Sequence, residues 1–139
     1  MKNVFLFVLL TISSVASSQC IPENFCNECI GKLIKAKFNY LKSFKINGED
    51  GSLKKIEYSY VLTKGSKYLV NICASGTHPE KIGFTLLNYQ RVKMGTNSVK
   101  GTHVSDFVFE CNTTGIYYLQ YSFEEASINC AGSALGFTR

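Results

Sequence analysis

The stretch CIPENFCNEC, residues 20–29, holds three of the chain's six cysteines. Thiols this crowded can do redox work, bind a metal, or clamp the chain covalently. Cys26-Asn27-Glu28-Cys29 is a C-x-x-C pair, the spacing of thiol–disulfide enzymes when it opens a helix in a thioredoxin-like βαβ setting. No parallel α/β pattern follows it here, and Cys20 competes as a third thiol. Zinc wants four ligands, as paired C-x-x-C units or with histidines. One such pair is present, and His78 and His103 lie far away in loop sequence. The clamp is therefore the expectation, with a thiol–disulfide role for Cys26 and Cys29 as the rival.

Other chemistry is sparse. Neither histidine stands beside a Ser or Cys nucleophile motif, and no phosphate-cradling glycine loop occurs. Glu57, Asp106 and Glu110 fall at polar strand positions and Glu124-Glu125 in a loop, which suits solvated faces better than a carboxylate pair across a cleft. No cofactor is expected. Asn112-Thr113-Thr114 matches a glycosylation sequon and also reads as a turn. Lys32, Lys35, Lys37, Lys42 and Lys45 form an acid-free stretch, a solvated face or a dock for anionic polymer. Tyr40, Tyr89 and Tyr118 are the candidate exposed rings. Together with Lys32, Lys35 and Lys37 they make the candidate ligand surface.

The first residues set the compartment. Lys2 precedes an apolar run from Val4 to Ile12, then the small residues Ser13-Ser14-Val15-Ala16-Ser17-Ser18. That is the layout of a secretory signal peptide, with cleavage expected before Gln19. The run is far short of the ~20 residues of a spanning helix, and no later stretch is longer, so no transmembrane span is expected. Gln19 is bulky and polar, which disfavours lipidation of Cys20. Removing residues 1–18 from 139 leaves 121, enough for one domain with one core. The remaining 14 cations against 10 acids give +4, too modest to announce nucleic acid. The expected location is secreted, extracellular or periplasmic. There an even cysteine count reads as three disulfides.

The elements that must position these groups are strands. From residue 56 onward the apolar period is close to 2. Ile56, Tyr58, Tyr60 and Leu62 share one face, as do Tyr68, Val70 and Ile72, then Ile82, Phe84 and Leu86. Phe107 and Phe109, then Tyr117, Leu119, Tyr121 and Phe123, and lastly Leu135 and Phe137 follow the same rule. Residues 36–47 add a strand whose row Phe38, Tyr40, Phe44, Ile46 is interrupted by Lys42. Residues 90–101 read as an exposed hairpin or long loop. Lys64-Gly65 and Asn112–Gly115 are turns, the second expected to join its strands as a hairpin. Pro22 and the spacing of Ile30, Leu33 and Ile34 predict a short helix. The expected organisation is a signal peptide at 1–18, a cysteine-rich segment at 19–35, and an all-β, antiparallel, jelly-roll-like β-sandwich at 36–139.

Strand geometry constrains the pairings. If residues 106–123 form a meander, Cys111 and Cys130 lie at opposite ends of a strand, roughly 20 Å apart at ~3.3 Å per residue. A disulfide needs Cα atoms within about 7 Å, so that pair is excluded. Cys73 and Cys130 are both out of phase with the apolar rows beside them and belong on the outer side. A Cys73–Cys130 bridge is the expectation. Cys111 then pairs with one of Cys20, Cys26 and Cys29, and the other two pair together.

The run Lys64-Gly65-x-x-Tyr68, Cys73, Phe107-x-Phe109-Glu110-Cys111-x-x-Thr114-Gly115-x-Tyr117, Cys130 and a closing Gly-x-Leu-Gly-Phe resembles small secreted bacterial β-sandwich proteins. More loosely it is similar to pre-peptidase C-terminal and GOLD-type jelly-roll domains. The resemblance spans about residues 56–137. It implies a fold and no active site, and the Cys20–Cys29 cluster lies outside it. The functional expectation is a non-catalytic binding module for an extracellular carbohydrate or protein.

Overall fold

The computed structural model describes residues 21–48, 54–74, 81–123 and 130–139. The signal-peptide reading, Cys20, His78 and Glu124-Glu125 fall outside these. The elements are α1 (Pro22–Lys35), β1 (Asn39–Asn47), β2 (Lys55–Leu62), β3 (Lys67–Ala74), β4 (Ile82–Leu87), β5 (Lys93–Thr96), β6 (Ser98–Val99), β7 (Thr102–His103), β8 (Asp106–Glu110), β9 (Gly115–Phe123) and β10 (Cys130–Thr138). Two four-stranded antiparallel sheets stack face to face. Sheet A runs β1-β10-β3-β8 and sheet B runs β2-β9-β4-β5, with β6 and β7 as a small separate ribbon. This is the expected all-β sandwich with one short helix.

The rows read from the sequence face inward. Tyr68, Val70, Ile72, Phe84, Leu86, Leu119, Tyr121 and Leu135 share one core. Three aromatic pairs cross it from sheet to sheet: Phe44–Tyr58 at 5.0 Å, Phe84–Phe107 at 5.1 Å and Phe109–Tyr117 at 5.6 Å. Such tilted pairs add about 0.5–1.5 kcal/mol each beyond burial. A polar chain crosses too. The buried Tyr121 hydroxyl donates to Ser133 Oγ (2.7 Å), which donates to the Asn71 carbonyl (2.7 Å). Strand β1 departs from its simple row. A bulge between Tyr40 and Lys42 turns Leu41 to the core and leaves Tyr40 exposed.

One turn takes a form other than the expected one. β8 and β9 lie in different sheets, so Asn112–Gly115 is an arch between layers and not a hairpin. Lys64-Gly65 arches likewise from β2 to β3. The two arches hold each other: Gly65 N–H donates to the Cys111 carbonyl, Cys111 N–H to the Ser66 carbonyl, and Lys64 N–H to Thr114 Oγ1. Turn residues are the same for a hairpin and an arch, which is why sequence did not separate them. Residues 90–101 also contribute more than a loop, since β5 pairs with β4 and extends sheet B.

Helix α1 covers the outer face of sheet A. Pro22 opens it at a position where a missing N–H costs nothing. It closes with Lys37 N–H on the Ile34 carbonyl and Phe38 N–H on the Leu33 carbonyl, a Schellman closure in which Lys37 takes the left-handed conformation at φ 64°. Its buried face is Pro22, Cys26, Cys29 and Leu33. What lies beneath is small: Gly132, Ala134 and Gly136 alternate along the outer face of β10. A Cβ on Gly132 would lie 2.4 Å from the Cys26 amide nitrogen, and one on Gly136 would lie 2.5 Å from the Leu33 side chain.

Gly132→Val should therefore lift the helix off the sheet. Overpacking of this kind costs about 1–3 kcal/mol, and here the clash is with backbone, so a urea unfolding curve should show a loss at or above the top of that range. Gly115→Ala, where nothing lies within 4 Å, should change stability little.

Candidate binding face

The cysteines hold the helix down. Cys29 on the underside of α1 bonds Cys73 on β3, with Cα atoms 5.8 Å apart. This replaces the expected Cys73–Cys130 bridge. In the β10–β3 register Cys73 faces Gly132, so Cys130 lies two residues further along, while the helix brings Cys29 directly over β3. Cys130 is itself disulfide-bonded. Cys26 and Cys111 are free buried thiols, so three bridges do not form and Cys111 takes no partner from the N-terminal trio. The reason is layering. Cys26 faces the outer side of sheet A and donates to the Phe44 carbonyl, whereas Cys111 lies between the sheets beside Thr113 and the Tyr117 hydroxyl.

This arrangement removes Cys26 and Cys29 as a redox pair, because Cys29 is committed to Cys73. Burial pushes the Cys26 thiol above its ordinary value, with hydrogen bonding from the Ser133 backbone and Ser43 opposing, which keeps it protonated and a poor nucleophile. Beside the bridge, Asn71 is a buried polar link: its side-chain amide donates to the Cys29 carbonyl and accepts from Ala134 N–H. Among the described residues no three His, Cys, Asp or Glu side chains group to hold a metal. His103 is half-buried on β7, near Gly83.

The candidate ligand surface divides in two. Lys32, Lys35, Lys37 and Tyr40 lie at the end of α1 and the start of β1, on the sheet A side. Lys32 is paired with Glu28 at 2.8 Å, and Tyr40 donates to Ser43. Tyr118 and Tyr89 belong to sheet B and its β4–β5 turn. The six residues are not one site.

Sheet B presents the built surface. Its outer face is ruled by register into rows: Glu57, Gln120, Thr85 and Thr96, then Ser59, Tyr118, Leu87 and Lys93. The β4–β5 turn folds Arg91 back across these rows. Asn88 makes the turn, its side-chain oxygen accepting from Gln90 N–H and Val92 N–H. Arg91 adopts φ 62°, a left-handed conformation that costs a non-glycine residue free energy. Its guanidinium stacks 4.3 Å above the Tyr118 ring and forks onto both Glu57 oxygens at 2.8 and 2.9 Å. Gln120 donates to the same carboxylate. The Arg91 hydrogen bonds, foremost, hold the Glu57 carboxyl below its ordinary value. Around this cluster Val61, Ile116, Tyr89, Val92 and Met94 are exposed. Sequence reading found Tyr118 but assigned Glu57 to a solvated face and missed Arg91. Nothing in spacing announces a turn residue that reaches back over three strands.

No family model matches the chain, and no curated protein matches it in sequence. Among solved structures it is similar to PliG of Aeromonas hydrophila, a periplasmic lysozyme inhibitor of g-type lysozyme. The two are 17% identical with a TM-score of 0.46 over 70% of this chain and 82% of that one. It is also similar to the pre-peptidase C-terminal domain of a collagenase from Bacillus anthracis, at 12% identity and a TM-score of 0.48 over 73% of this chain and 90% of that one. The second is a domain of the kind that the sequence resembles. Neither likeness assigns a site.

Three outcomes are expected. Without reductant, alkylation should leave Cys26 and Cys111 unlabelled in the native protein and label both on unfolding, with Cys29 and Cys73 recovered as a linked peptide. Replacing both bridge cysteines with serine should cost about 4 kcal/mol for a loop of separation 44, read by urea unfolding. Third, Glu57→Gln should destabilise by less than about 1 kcal/mol at pH 7, as an exposed ion pair allows. Because the folded carboxyl titrates below its ordinary 4.5, that difference should persist to acid pH and vanish as the pH falls through the folded value.

Proposed function

We propose that the chain is an exported, non-catalytic binding module that meets an extracellular protein through the outer face of sheet B. The observation that carries this reading is the Arg91–Tyr118–Glu57–Gln120 cluster, ordered in advance on a face that no described element covers. Arginine and tyrosine dominate the energetic centres of protein interfaces. A guanidinium already fixed by stacking and a carboxylate fork loses little freedom when a partner arrives. The exposed apolar side chains around it supply area, and the polar rows supply hydrogen-bonding groups for a rim. The leader-like residues 1–18 and the disulfides favour an oxidising compartment outside the cytoplasm. The reading includes no cofactor and no nucleic acid.

A photo-cross-linking amino acid at Thr85, in the middle of the face, tests this against one at Lys35 on the helix side. In the exported protein, Thr85 should give protein adducts that excess unlabelled wild type competes away and that Arg91→Ala abolishes. Adducts from Lys35 alone, or none from Thr85, would overturn the proposal. Arg91-dependent binding to a glycan panel in place of those adducts would make the ligand a carbohydrate.

A further inference from the structure

The sandwich has four strand edges, and three are bulged, partly bonded or short. β1 is bulged, and its Phe44 and Lys45 carbonyls accept from Cys26 Sγ and the Tyr58 hydroxyl. β5 has four residues and an irregular register, and β8 has five. Short, bulged or covered edges are how sheets avoid adventitious strand addition. Among the described residues β2 uses none of these devices. It has eight residues, KIEYSYVL, without proline or glycine, in unbroken register with β9.

Register also settles which groups of β2 are unused. Phe123 N–H donates to the Lys54 carbonyl, which makes Lys54 and Phe123 a hydrogen-bonded pair. Antiparallel pairs alternate between bonded and non-bonded. Ile56, Tyr58, Tyr60 and Leu62 therefore bond β9, and Lys55, Glu57, Ser59 and Val61 direct both N–H and C=O to the open side. Among the described residues no main-chain group bonds to that side. Next to it, Ser59, Tyr60, Val61 and Ile116 line a groove of about 450 Å³, in which Val61 and Ile116 are about half exposed.

Charge selects the occupant further. Lys54 and Lys55 flank one end of β2 and Lys64 the other, all exposed. The strand's one acid, Glu57, is taken by Arg91. We infer that the free edge of β2 docks an extended peptide segment as an added antiparallel strand, with carboxylates at its ends to meet Lys54, Lys55 and Lys64 and an apolar side chain to meet Val61 and Ile116. Main-chain bonds supply the attraction and the side-chain pattern supplies selection. This site adjoins the Arg91–Tyr118 face and shares Val61 and Ile116 with its margin, but its attraction comes from the main-chain groups of the strand edge and not from the guanidinium or the ring.

The probe is a peptide of about ten residues, alternating threonine and valine with two glutamates at each end, matched to strand length. On adding it, the Lys55, Glu57, Ser59 and Val61 amides should exchange with solvent at least about tenfold more slowly by NMR, and no other edge should change. Of two versions N-methylated at alternate positions, one should bind like the parent and the other should lose about tenfold or more, because only one set of peptide N–H groups faces β2. Val61→Lys should weaken binding and Lys93→Ala, on the far edge of sheet B, should leave it unchanged; the amide protection along β2 is read independently of the Thr85 adducts, so failure of the sheet B face and failure of this edge are separable. No binding, protection at another edge, or equal binding by both N-methylated peptides would overturn the inference.

Discussion

The structure depends on how closely α1 can approach β10. Gly132, Ala134 and Gly136 give that strand an outer face of almost no side-chain volume, so the helix backbone rests on the sheet itself. The approach places Cys29 over Cys73 and lets Asn71 reach the Cys29 carbonyl. It also buries Leu33, Leu69 and Ala134 in a second, smaller core. A larger residue at Gly132 would separate these groups together, because one gap serves all of them. The bridge then acts on a helix already seated by packing. Its covalent constraint and the close packing each favour the same geometry, which is the consistency across levels that specifies a single fold.

That packing makes the two sides of the sandwich unequal. The middle of sheet A is buried on both faces, which is why β3 and β10 are buried over nearly their whole length. Sheet B is buried on one face only and keeps a clean alternation, as antiparallel sheets with one wet face do. Its outer rows are therefore free to carry interaction chemistry without weakening the core. Arg91 shows how such chemistry is fixed on an exposed surface. A turn held by the Asn88 side chain, an aromatic ring and a bidentate carboxylate together hold a long, flexible cation in one position.

The strand rows were legible because burial on one face imposes a period of two, and each of β2, β3, β4, β9 and β10 kept its expected inner face. The helix was legible from Pro22 and the apolar spacing after it. Even the phase of Cys73 was informative: it lies on the outer side, as its parity required. The row at Phe38 to Ile46 was less so, because a bulge at Leu41 exchanges the inner residue without changing composition. The partner of Cys73 was not legible at all. That choice depends on a helix lying across the sheet, and pairing by parity among strands alone does not contain it.

Sequence by itself determined the class of fold, the inward face of β2, β3, β4, β9 and β10, and the site of the helix. These follow from local periodicity and residue chemistry, which act over a few positions. Only the tertiary structure decided that the turns after β2 and β8 are arches between sheets, that Cys29 joins Cys73 while Cys26 and Cys111 stay reduced on opposite sides of sheet A, and that Arg91 meets Glu57 across three strands. These depend on which surfaces face each other at distances of about 5–10 Å between residues far apart in the chain, and local pattern carries no measure of that separation.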